Sequence, residues 1–179
     1  AAYAVSYVEL FSFITWSSVG LMGATAAVAG QNLGAGHPDR SVEAVKVASR
    51  IGLGVAAVLG AAFVAFPRAL LSMFGMDDPA AVEIGVQLLR YLSVSGLFIT
   101  VALAHTGGLQ GTGDTKSPLY ISLVSQLVVP LGMCFAIDAV RDLRPADIWL
   151  AIVLGHATRA SLSVWRFRQG KWRDIAVKI

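Results

Sequence analysis

The chain has 179 residues; 56% are hydrophobic, 14% are charged, and the formal net charge is +3. Ordinary soluble domains carry about 25% charge, so this balance, with a mean hydropathy of +0.69, argues against a water-soluble domain. The single cysteine, Cys134, has no partner for an internal disulfide and no metal-site spacing.

Leu10 to His37 contains no Asp, Glu, Lys or Arg, and neither do Ile51–Pro67, Tyr91–Gly113 or Ser117–Ile137; Ile148–Val164 has one, Arg159. A membrane helix needs roughly 20 mostly apolar residues, and backbone polar groups in lipid must pair within the segment. The pattern predicts an all-α, polytopic membrane bundle of about five helices. A secretory signal peptide is not expected, because residues 1–30 lack a basic start and their apolar stretch is too long. The chain starts without Met inside an apolar pattern and reads as part of a longer membrane protein.

The first span is predicted over residues 2–29, ending in the small and helix-breaking run Gly30-Gln31-Asn32-Leu33-Gly34-Ala35-Gly36-His37-Pro38. Glu9 lies about two turns into it. Carboxylates inside membranes are costly and mark ion or proton pathways; a place among the outer headgroups is the alternative. The second span, 42–66, stops at Pro67. Its Ala48, Gly52, Ala56 and Gly60 recur every four residues, forming a stripe that lets a neighbouring helix approach closely. The third span, 81–109, carries His105, either a proton site near neutral pH or a helix–helix hydrogen-bonding group. The fourth, 118–136, contains Pro130, which should bend it, for packing or for function. The fifth, 148–167, places His156 and Arg159 on one face, with Arg159 close enough to the cytoplasmic end to snorkel. Trp149, Trp165 and Trp172 fit an interfacial aromatic belt.

Basic residues favour cytoplasmic loops. With an outside N-terminus and a cytoplasmic C-terminus, nine of the fourteen lie inside: Arg40, Lys46, Arg50, Lys116, Arg166, Arg168, Lys171, Arg173 and Lys178. The basic tail directly follows a span, so no nucleic-acid partner is expected. Gly111-x-Gly113 and Gly34-x-Gly36 are too short for a dinucleotide fingerprint, and no P-loop occurs. No nucleophile triad or metal cluster is present, so neither enzyme chemistry nor a bound cofactor is expected.

The pattern Gly20-x-x-x-Ala24, then Val28-Ala29-Gly30-Gln31-Asn32-Leu33-Gly34-Ala35-Gly36 with Pro38-x-Arg40, resembles the C-terminal half of the multidrug and toxic compound extrusion (MATE) transporters. Gly108-Leu109-Gln110-Gly111-Thr112-Gly113-Asp114-Thr115 with Pro118, Ile148-Trp149, and Gly170-Lys171-Trp172 add weaker matches. The resemblance implies helices eight to twelve of a twelve-helix, two-lobe transporter in the plasma (inner) membrane. Its N-terminal lobe would be this chain's partner, alongside lipid and small organic cations. It implies alternating access, with cationic amphipathic compounds exported in exchange for sodium or protons. Some members carry a coupling carboxylate in the helix matching the third span, but Phe98–Leu109 has no Asp or Glu. That site is not carried over, and both ions stay open. The GQNLGAG run reads as a structural turn. Aromatic and Met side chains offer an adaptable cavity wall for a cation. Phe11, Phe13, Trp16, Met22, Phe98, Tyr120 and Met133 either form such a wall or face lipid or core. Two other functions compete: a lipid-linked oligosaccharide flippase, which should show several basic residues in its spans, and a non-transporting membrane scaffold.

Overall fold

A computed structural model describes residues 2–175; Lys178 of the basic tail lies outside the described residues. Among these, the regular elements are all helical: α1 (Ala4–Gly34), α2 (Pro38–Ala65), a short α3 (Pro67–Ser72), α4 (Pro79–Gly111), α5 (Lys116–Asp138) and α6 (Pro145–Arg168), followed by a 3₁₀ turn (Lys171–Asp174). All but α3 and the final turn are long and apolar enough to cross a membrane. Pro38, Pro67, Pro79 and Pro145 each open a helix, where their missing N–H is not needed. Asp78 caps α4 by accepting the Ala81 N–H at 3.2 Å.

α4 is the hub. Leu88, Leu89 and Leu92 on it are fully buried, with Phe11 and Ile14 of α1, Phe63 of α2 and Leu71 of α3 around them. α1, α2 and α6 pack directly on α4, while α5 leans mainly on α6 and leaves most of its surface exposed. Alternating directions bring the α1–α2 turn, the α4–α5 loop and the segment after α6 to one end. There Arg173 Nη2 meets Asp39 Oδ1 at 3.3 Å and the Ser41 hydroxyl donates to the Ala29 carbonyl at 2.7 Å.

The small-residue stripe on α2 is buried, as its four-residue spacing predicts, and its partner is α4. A Cβ on Gly52 would collide with the Thr100 methyl, and one on Gly60 would lie 3.3 Å from the Ser93 carbonyl. Alongside, the Ser18 and Thr100 hydroxyls hydrogen-bond between α1 and α4 at 2.7 Å. Gly52→Leu is therefore expected to destabilise the protein by about 1–3 kcal/mol, whereas Ala57→Leu, at an exposed position, has a milder effect. Equal melting midpoints of the two variants in detergent would remove this packing claim.

Two expectations change. The GQNLGAG run is not a turn throughout: α1 continues to Gly34, and only Ala35, Gly36 and His37 reverse the chain. Gly30 presses against the Gly111 backbone of α4, where packing outweighs its low helix propensity, while Gly34 is exposed. Gly36 has φ +78°, and the His37 N–H returns to the Asn32 carbonyl at 2.8 Å, a left-handed glycine cap. α4 ends in the same way: Gly113 has φ +93° and the Asp114 N–H reaches the Leu109 carbonyl at 2.9 Å. The aromatic belt also shrinks. Trp165 is exposed, but Trp149 is buried and Trp172 folds back. Its Nε1 donates to the Phe167 carbonyl at 2.9 Å and its ring stacks on Phe167 at 5.0 Å, beside Val45 and Leu109. Satisfying the indole N–H while burying its ring favours this over an interfacial position.

Pro130 follows a π-helical turn, Val124–Val128, that absorbs the interruption in α5. Gly155 of α6 seats against this irregularity: a Cβ there would lie 2.7 Å from the Ser125 carbonyl and 3.1 Å from the Pro130 ring. The break thus serves helix packing.

Candidate functional site

α1, α4, α5 and α6 line an open cavity of about 530 Å³. Its walls divide by chemistry. Met22 from α1 and Ile99 and Leu103 from α4 supply apolar surface; Thr106 and Gln110 of α4, Gln126 of α5, and His156 and Arg159 of α6 supply polar groups. The three-residue spacing that puts His156 and Arg159 on one face of α6 turns both into this space. Arg159 is half-buried, and its Nε is buried with no hydrogen-bond partner among the described residues. His156 is 6% exposed, its ring stacks on Phe11 at 5.8 Å, and its Nδ1 is likewise unpartnered. No Asp or Glu lines the cavity.

Outside the cavity lining, an ion pair joins distant parts of the sequence. Asp114 is 5% exposed. Its Oδ2 accepts from Arg166 Nε at 2.8 Å and Nη2 at 2.7 Å and from the Ser117 hydroxyl at 2.8 Å, while Oδ1 accepts the Ser117 N–H at 3.1 Å. Burial alone would raise its pKa; hydrogen bonds from Ser117 and Arg166, with the Arg166 charge, outweigh that and hold the carboxyl below its ordinary value. Asp114 thus starts α5 and ties it to the end of α6, on either side of the cavity.

The other sequence candidates are dispersed. Glu9 is exposed near the far end of α1, and no ion pair forms to it among the described residues. Trp16 is 72% exposed and Tyr120 64%; both lie outside this cavity's lining. His105 donates from Nδ1 to the Val101 carbonyl of its own helix at 2.8 Å and meets the edge of Phe167 at 5.6 Å. Met22 lines the cavity and Phe11 lies behind it in the core; Phe13 is exposed, and Phe98 and Met133 are half-buried. In the glycine motifs, Gly30 lies against the Gly111 backbone, Gly111 against the Ala26 carbonyl, Gly34 ends α1 and Gln31 is exposed. Sequence reading missed the Arg166 partnership, Gln110 and Gln126. Only the shared face of His156 and Arg159 signalled the polar wall.

The MatE family model matches residues 1–136. Similar curated relatives include the probable multidrug resistance protein NorM of Thermotoga maritima, 24% identical over 95% of this chain and 36% of the relative. The protein of the same name from Deinococcus radiodurans is 30% identical over 86% of this chain and 36% of its own length. The multidrug resistance protein MdtK of Pectobacterium atrosepticum is 31% identical over 87% and 34%. The chain thus spans about a third of the length of the curated relatives it matches. With its five apolar helices, the match makes the chain part of an integral membrane protein.

Proposed function

We infer, because this chain belongs to the MatE family, that the whole protein is a secondary-active multidrug exporter. It moves cationic amphipathic compounds outward in exchange for inward sodium or protons, and needs no other cofactor. This chain supplies the eighth to twelfth helices of a twelve-helix, two-lobe assembly in the inner membrane, and the N-terminal lobe is its partner. The observation that carries the reading is the family match over residues 1–136, in relatives named for multidrug resistance. A half-apolar, half-polar cavity among the same helices supports it, since small-molecule sites combine apolar walls with a few placed polar groups. The bundle end carrying Gly36, Asp114 and Arg173 faces the cytoplasm, where its basic residues are favoured.

With no carboxylate in the cavity lining, Glu9 is the acid on these helices best placed to attract a cation from the face α1 leaves exposed. In the full-length protein, Glu9→Gln is expected to reduce efflux of a cationic dye several-fold from cells lacking their own exporters, at matched expression. Wild-type efflux by that variant would place Glu9 among the headgroups, where water and salt screen it. Failure of the unaltered protein to export any cationic dye would overturn the export reading itself.

A further inference from the structure

We propose that the open pocket between the end of α2, α3 and the first turns of α4 binds a phospholipid with a phosphoethanolamine headgroup, its phosphate on Arg90 and its ammonium on Glu83. The proposal needs only that the chain spans a bilayer, not the export reading. The part of α4 after Arg90, Tyr91–Gly111, carries no charge. It is about 31 Å long at about 1.5 Å per residue, close to the roughly 30 Å of a bilayer's hydrocarbon core. Arg90 therefore sits at the hydrocarbon edge, and Pro79–Leu89 rises into the headgroup layer. Gly60 of α2 packs on Ser93, so the last turn of α2 and the following α3 lie at headgroup level as well. Leu71 seats α3 on Gly85 of α4, while Phe66, Met73 and Phe74 are exposed, as suits a segment lying in an interface.

The pocket has a volume of about 470 Å³, and Arg68, Glu83 and Arg90 line it beside apolar Val64, Phe66 and Val86. Arg68 Nη2 reaches Glu83 Oε2 at 3.6 Å with both side chains exposed, a contact worth little in water. Arg90 takes part in no ion pair among the described residues, and its carbonyl accepts the Ser93 hydroxyl. A phosphoethanolamine headgroup carries its charges in the matching order. Its phosphate joins the glycerol at the hydrocarbon edge, and its ammonium lies one ethylene further out. Arg90 is at that edge, and Glu83 lies seven residues nearer the Pro79 end on the same face of α4. A guanidinium fork takes two phosphate oxygens, and the Glu83 carboxylate has acceptor sites left beside Arg68. A phosphocholine ammonium has no N–H to donate, and phosphoglycerol offers Glu83 no cation.

Native mass spectrometry of the purified, delipidated full-length protein tests this with lipids of identical acyl chains. The unaltered protein should bind the phosphoethanolamine lipid several-fold more tightly than the phosphocholine or phosphoglycerol lipid. Arg90→Gln is expected to weaken all three about fivefold, the effect of one basic residue near a charged headgroup. Glu83→Gln should leave phosphocholine affinity unchanged and abolish the preference for phosphoethanolamine. Arg50→Gln, at an exposed position in the opposite half of α2, is the control and should change none of these affinities. A phosphoethanolamine preference that survives Glu83→Gln would overturn the proposal, as would equal weakening by Arg90→Gln and Arg50→Gln. So would full affinity for the same headgroup without acyl chains, which would make a soluble phosphoethanolamine the ligand. None of these measurements involves transport, so their failure leaves the export reading untouched.

Discussion

Gly111→Leu is expected to prevent the bundle from assembling. Gly107 and Gly111 lie one turn apart on α4 and press against the backbone of α1: a Cβ on either would collide with the carbonyl of Met22 or Ala26. Gly30 completes the contact from the other side, where a Cβ would sit 2.5 Å from the Gly111 carbonyl oxygen. Backbone atoms cannot rotate away as a side-chain tip can. A leucine must therefore push the two helices apart along the seam that forms one cavity wall. In a bilayer, close packing of small residues is a main source of helix association. Overpacking costs about 1–3 kcal/mol and occasionally more, and a backbone collision belongs at the top of that range. Gly54→Leu, with no heavy atom within 4 Å of the added Cβ, is the matched control. Size-exclusion profiles and melting midpoints of the full-length variants check the claim. A Gly111→Leu protein as monodisperse and heat-resistant as Gly54→Leu would refute it.

Asp114→Asn is expected to lower stability by about 3 kcal/mol, the cost of leaving one partner of a buried ion pair alone. The variant retains shape and some hydrogen bonding but strands the Arg166 guanidinium, 23% exposed, and weakens the cap that begins α5. Combining Asp114→Asn with Arg166→Gln should recover part of the loss, because the stranded charge is removed; strict additivity would deny the pairing. The pH dependence has a definite sign. The folded-state pKa of Asp114 is depressed, so its contribution is complete above the unfolded value of about 3.9. It is lost as pH falls through the lower folded value. The gap in melting midpoint between unaltered protein and Asp114→Asn should therefore be constant between about pH 7 and 5 and close below about pH 4. A gap that persists at lower pH would show that the carboxylate charge is not what stabilises the loop.

The architecture is legible because its cause is local. Runs with at most one charge, bounded by proline and glycine, mark the five helices, and only their lengths differ: α4 begins at Pro79 and α1 runs on to Gly34. The α2 stripe is visible for the same reason, since a four-residue spacing defines one face whatever the partner. Gly107 and Gly111 share that spacing, but lie beside a glycine-rich loop signal that obscures it. The cavity is less legible. Its polar wall joins α4, α5 and α6, and Asp114 and Arg166 are 52 residues apart; no local pattern pairs them. Exposure of Trp16 and Tyr120 follows from which faces of α1 and α5 meet their neighbours, a property of packing that hydrophobicity does not encode. Arg159 shows the limit most clearly. Position along α6 suggests snorkelling, whereas its rotational position turns it inward.

Transport by the purified full-length protein in liposomes tests the export account most directly. A cationic dye is placed on one side and a sodium or proton gradient is imposed from the other. The account predicts that at least one of the two gradients drives dye against its own concentration gradient, in the direction opposite to the ion, and that dissipating this gradient stops the movement. Dye flux equal to that of protein-free liposomes under both gradients would contradict it.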